Sequence, residues 1–182
     1  MNPKHRHRLL LIVLVLAFAA PMLIASLLQR GGWMPSGRKN YGELLSPPLP
    51  MPAARLHDGG EFAWKTPQWY WTLLVRVPSD CAADCRQSLL GLPKLRQSLD
   101  RHATQLRIAI VDEPGRIGTA SLQGQGIYAV RIDASERIDP LLPDPLGSIQ
   151  LALVDPNGFM VLRFPPSADF ERVRRDLKRL IR

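Results

Sequence analysis

The chain has 182 residues with 24 Lys and Arg against 16 Asp and Glu, a formal charge of +8. Residues 1–30 hold four of the basic residues and no acid, so the remainder carries only +4. No basic run is interleaved with aromatic residues as a nucleic-acid groove requires, which excludes nucleic acid as a partner. Nor does any Ser-His-Asp set, paired-carboxylate motif, P-loop or dinucleotide fingerprint appear.

Lys4, Arg6 and Arg8 precede an uncharged apolar run, Leu9 to Leu28. At 1.5 Å rise per residue such a run covers roughly 30 Å, the thickness of a bilayer core, and is expected to form one transmembrane helix. Basic residues in front of it stay on the cytoplasmic side, which puts everything after Arg30 across an inner membrane, facing the periplasm. Ala17-Phe18-Ala19 offers a signal-type cleavage site as the alternative, and both readings export the remainder. Residues 1–30 are thus a cytoplasmic tip and anchor. Residues 31–52, with prolines at 47, 48, 50 and 52, read as a linker in extended, donor-poor backbone. Residues 53–182 suffice for one compact domain.

Within that domain Arg55 to Phe62 reads as a hairpin around Gly59-Gly60. Trp69 to Val77 is almost wholly apolar, as expected for a strand buried on both faces of a sheet, and Pro78-Ser79 ends it. From Cys85, Leu89, Leu92, Leu95 and Leu99 repeat at helical spacing, with Gly91 and Pro93 expected to kink or interrupt the helix. A second buried strand, Leu106 to Val111, leads into a Gly-, Pro- and Asp-bearing excursion from 112 to 147, with a short strand over 126–132 and a short helix over 134–142 inside it. Ile149 to Val154 and Phe159 to Phe164 bracket Asp155-Pro-Asn-Gly158 as a hairpin. Ser167 is a plausible N-cap for a last helix that lines up Phe170, Val173, Leu177, Leu180 and Ile181. Its six basic residues between Arg172 and Arg182 are read as a solvated face in preference to an anionic-lipid or acidic-partner patch.

Strand, helix, parallel strand, excursion, antiparallel hairpin and helix is the element order of an α/β, thioredoxin-like domain, a central mixed sheet flanked by helices. Cys81 and Cys85, the only cysteines, fall where the loop after the first core strand enters a helix. A helix N-terminus stabilises a thiolate, and residues four apart on a helix lie roughly 6 Å apart, within disulfide range. The pair therefore suits reversible closure, with Asp84 and Arg86 as modulating neighbours. A permanent, inert disulfide is the structural alternative, although so short a loop removes little unfolded-state entropy.

The Cys81-Ala-Ala-Asp-Cys85 motif, the apolar strand before it, Leu153-Val-Asp-Pro-Asn-Gly158 and Asn40-Tyr-Gly-Glu-Leu-Leu45 together resemble the Sco/SenC-type proteins, membrane-anchored thioredoxin-like factors of cytochrome c oxidase assembly. The resemblance implies a protein client in a respiratory oxidase assembly pathway and either thiol-disulfide exchange or delivery of Cu(I) through Cys81 and Cys85. Two departures stand out. Arg86 replaces the proline usual after the second cysteine, and residues 103–182 contain no histidine where copper-binding members place a third ligand. Ser148 and Gln150 lie near that position and are poor soft-metal ligands. His57 and Met160 are the remaining substitutes, both read first as ordinary structural residues, and His102 falls at the far end of the cysteine helix. The missing histidine favours exchange over delivery.

Overall fold

The computed structural model describes residues 3–30, 40–111, 126–133, 139–140, 142–143 and 147–181. It divides into two units, Met1–Lys39 and Asn40–Arg182. The described part of the first is helix α1, Pro3–Arg30, in which Leu10–Leu28 is long and apolar enough to cross a membrane.

The second unit is built on one sheet of β1 (Glu43–Pro50), β2 (Ala54–Leu56), β3 (Trp71–Arg76), β4 (Leu106–Val111), β5 (Ile127–Ile132), β6 (Gln150–Val154) and β7 (Phe159–Arg163), in the order β1-β7-β6-β3-β4-β5-β2. β3 sits at the centre, parallel to β4 and antiparallel to β6. Its run Thr72 to Val75 is buried throughout, the outcome expected where a strand has neighbours on both sides and covered faces above and below. Helix α2, Ala83–Gln97, connects β3 to β4, and α3, Phe170–Leu180, closes the chain.

Alternation along the strands separates two cores. Leu73, Val75, Ile108, Ile110, Leu151 and Leu153 face α2 and α3, where Leu89, Leu92, Leu95, Val173 and Leu177 meet them. Leu74, Ala109, Ala152, Val154 and Met160 face the other way, under Ala54, Phe62, Trp64 and Leu142. At Gly91 the side chain of Phe170 from α3 packs directly on α2, since a Cβ there would lie 2.9 Å from Phe170 Cε2.

The sheet agrees with the expected element order, and the 126–132 strand is β5. The hairpin turn is held by Asp155, whose Oδ1 accepts from Asn157 N (3.0 Å) and Phe159 N (2.8 Å), with Gly158 at φ +88°. Three local expectations differ. From Asn40 onward the expected linker belongs to the compact unit, and Glu43–Pro50 pairs with β7 as an edge strand despite prolines at 47, 48 and 50. A strand needs bonds on one side only at a sheet edge, so missing donors are tolerated there. Helix α2 runs through Pro93, held on either side by the buried Leu89, Leu92 and Leu95. The α3 N-cap is Asp169, whose side chain accepts from Glu171 N at 2.8 Å, while Ser167 sits two residues earlier at φ 54°. Of the helix expected over 134–142, residues 134–138 and 141 lie outside the described residues, while 139–140 form a turn and 142 a bend; most of the 112–147 excursion and residues 31–39 lie outside them as well.

Candidate functional site

The site begins where β3 ends. Pro78 cannot donate to the sheet, and after Val77, whose amide still bonds Val111 O at 3.3 Å, the chain turns through Ser79 and Asp80 into α2. Asp80 Oδ1 accepts from Gly147 N at 3.1 Å, which ties the loop carrying the cysteines to the segment entering β6. The helix starts at Ala83, with Ala82 as its N-cap and no side-chain cap bond, so its first-turn amides are left to whatever charge lies in front of them.

Cys81 and Cys85 form a disulfide with Cα atoms 5.3 Å apart. The two sulfurs differ in access. Cys85 is only 1% exposed and belongs to the core under α2, whereas Cys81 is half-buried at the edge of that core. Asp84 and Arg86 are both exposed and flank Cys85 in sequence, one acid in the first helical turn and one base just behind it. An acid in the first turn, as at Asp84, complements the helix dipole.

The structure separates Gln150, Met160, His57 and His102 from this pair. Gln150 is 4% exposed and stands in register with Arg76. Alternation along β6 places it on the face of Ala152 and Val154, while the neighbouring Ile149 belongs to the cysteine core. Met160 is fully buried on that same opposite face. His57 follows β2, three strands away from β3 at roughly 4.8 Å per spacing, and its amide bonds Ala129 O. His102 lies in the short 3-10 helix Asp100–Gln105 beyond the far end of α2, beside Arg101 and Gln105. Ser148 is half-buried next to Gly147, and its hydroxyl is a hard donor ill matched to Cu(I). Among the described residues no group of three or more His, Cys, Asp or Glu side chains could hold a metal ion. Among the described residues near this pair, the soft donors are thus the two thiolates, once the disulfide is reduced.

Two features away from the cysteines had no signal in the local sequence. Arg107, in β4, is 8% exposed and faces the second core, where Nε donates to Thr72 Oγ1 (2.8 Å) and Nη2 to the carbonyls of Ala63 (2.6 Å) and Trp64 (2.8 Å), with Phe62 beneath it at 4.4 Å. Burial lowers its pKa below the usual guanidinium value, opposed by the charges of Tyr128 and Tyr70. Asp176, 2% exposed in α3, accepts from the amides of Tyr41 (2.6 Å) and Gly42 (2.9 Å). Of the tryptophans near β3, Trp64 is buried, Trp71 packs against the cysteine core and Trp69 stands 61% exposed at φ 55°.

The apo Sco1 protein of Thermus thermophilus, known from solution structures, superposes with a TM-score of 0.57 at 18% identity, over 80% of this chain and 99% of that one. Copper-bound yeast Sco1 follows at 0.54 and 18%, over 74% and 93%. Peroxiredoxin Q of Xanthomonas campestris reaches 0.51 at 15%, over 77% and 97%. At such identities the likeness establishes the thioredoxin-like fold alone, which Sco1 and peroxiredoxin Q share. No curated protein matches the chain by sequence. The family profile described as transmembrane-like, thioredoxin-like, C-terminal domain matches residues 71–182, from the central strand through the cysteine helix to α3, and the chain belongs to that family.

Proposed function

We propose that the chain is a membrane-anchored thiol-disulfide exchange protein that works through Cys81 and Cys85 on a cysteine-bearing client, as an accessory of respiratory oxidase copper-site assembly. The observation that carries the reading is the asymmetry of the pair: a disulfide at a helix mouth with one sulfur reachable and one enclosed. In the reducing direction the Cys81 thiolate attacks a client disulfide, forming a mixed disulfide and releasing one client thiolate. Cys85, deprotonated, then attacks Cys81 sulfur, the second client thiolate leaves, and two electrons have passed from protein to client. A separate dithiol reductase must restore the reduced pair. The helix terminus and Arg86 favour the attacking thiolate. Helix α1 serves as a single-pass inner-membrane anchor with the domain on the periplasmic side, supported by its length and by the basic residues ahead of it. The oxidase pathway rests on the Sco/SenC resemblance of the cysteine motif and hairpin.

The test uses the reduced full chain in detergent with a peptide closed by one internal disulfide. Cys85→Ser should accumulate a mixed disulfide through Cys81, and Cys81→Ser should accumulate none. Equal behaviour of the two variants defeats the assignment of roles, and absence of any adduct defeats exchange. The same proximity of sulfurs supports a second reading, a two-thiolate Cu(I) site. Tight uptake of one Cu(I) from a chromophoric chelator, lost in Cys85→Ser, would decide for delivery.

A further inference from the structure

Helix α3 distributes its charge unevenly. Val173, Asp176 and Leu177 turn inward. On one flank Arg174 is held by Glu171 and Lys178 by Asp100, each at 2.8 Å. On the other flank Arg172, Arg175 and Arg179 recur at i, i+3 and i+7, the spacing of one helical stripe, and all three are exposed. The acid beside this stripe, Asp176, directs Oδ2 to two backbone amides and stands 3.9 Å from Arg179 through Oδ1.

Those amides belong to Tyr41 and Gly42, the start of the domain, and the Arg172 guanidinium lies 5.2 Å from the Tyr41 ring centroid. The arginine stripe therefore begins on the residues through which the chain arrives from its anchor. Only nine residues, 31–39, separate Arg30 from Asn40, and a segment of that length reaches at most about 35 Å when fully extended. The segment therefore tethers Asn40, and with it the α3 residues packed on Tyr41 and Gly42, to α1 by only those nine residues. A tether this short gives a high effective concentration, and guanidinium groups match phosphate oxygens in a bidentate manner.

We propose that Arg172, Arg175 and Arg179 form a docking stripe for anionic phospholipid headgroups, holding the domain against the membrane that anchors it. The proposal rests on the anchor reading of α1 and is independent of what the cysteines do. The full chain is reconstituted in nanodiscs of phosphatidylcholine alone and of an equal mixture with phosphatidylglycerol, and phenylglyoxal modification of each arginine is followed by mass spectrometry. In the anionic discs Arg172, Arg175 and Arg179 should react at least about threefold more slowly than in neutral ones, with Arg55 and Arg101 unchanged. The difference should vanish at about 0.5 M salt, where the screening length falls to roughly 4 Å. Equal rates in the two discs overturn the docking and would assign any shielding to a protein contact. A chain that does not copurify with discs overturns the anchor and the docking with it.

Discussion

The two faces of the sheet are covered by different means. Over the cysteine face lie two helices, whose backbone groups are satisfied internally and whose contribution is a dense set of Leu, Val and Ile side chains. Irregular chain around Pro52, Phe62 and Trp64 lies over the other face, and irregular chain brings carbonyls that need donors. Those donors are side chains: Arg107 for Ala63 and Trp64, and Trp64 Nε1 for Pro52 O at 2.7 Å. The helix-covered face is secured by volume and the strap-covered face by a few polar fastenings, which places the cysteine pair on the face with the more redundant support.

Truncation on the helix side should show the largest loss. Leu92→Ala empties a fully buried position, and chemical denaturation should find it less stable by about 3–5 kcal/mol. Arg107→Leu removes the donor shared by two strap carbonyls and Thr72, with an expected cost of about 2–3 kcal/mol. Hydrogen exchange should then rise over residues 62–64 and stay unchanged in α2; a uniform rise would mean the two faces share one support. Trp64→Phe keeps the ring and loses one hydrogen bond to Pro52, so equilibrium unfolding should register about 1 kcal/mol. The smallest effect belongs to Asp100, whose carboxyl is held below its ordinary pKa first by the hydrogen bond from Lys178 and then by that residue's charge. A depressed folded pKa adds stability above the unfolded value of about 3.9 and loses it as pH falls through the folded one. Asp100→Asn should therefore lower Tm slightly at neutral pH and by nothing once the carboxyl is protonated in both states.

The parts legible in the sequence were those written in short-range pattern. Trp69 to Val77, Leu106 to Val111, the Asp155-Pro-Asn-Gly158 turn and the leucine stripe of α2 each carry their signal within a few residues, and the placement of Cys81 and Cys85 at a helix mouth followed from them. Glu43–Pro50 was hidden because prolines in a row suit free extended chain as well as a sheet edge, and only the register with β7 distinguishes the two. Asp176 and Arg107 were illegible for a different reason. Asp176 binds amides 134 and 135 residues away and Arg107 reaches back 35 to 44, so neither role leaves a trace nearby. An acid inside an arginine-rich helix reads as a solvated charge until the chain that wraps onto it is known.

The prolines of β1 set a condition on how other proteins can approach. Three of its eight residues lack an amide hydrogen, so the outer rim of the sheet offers acceptors with few matching donors. A second strand laid along it would leave its own carbonyls without partners, and recognition by strand addition is disfavoured on that side. Two copies of this domain are thereby kept from pairing along that rim, and contacts on the β1 side of the sheet are left to side chains.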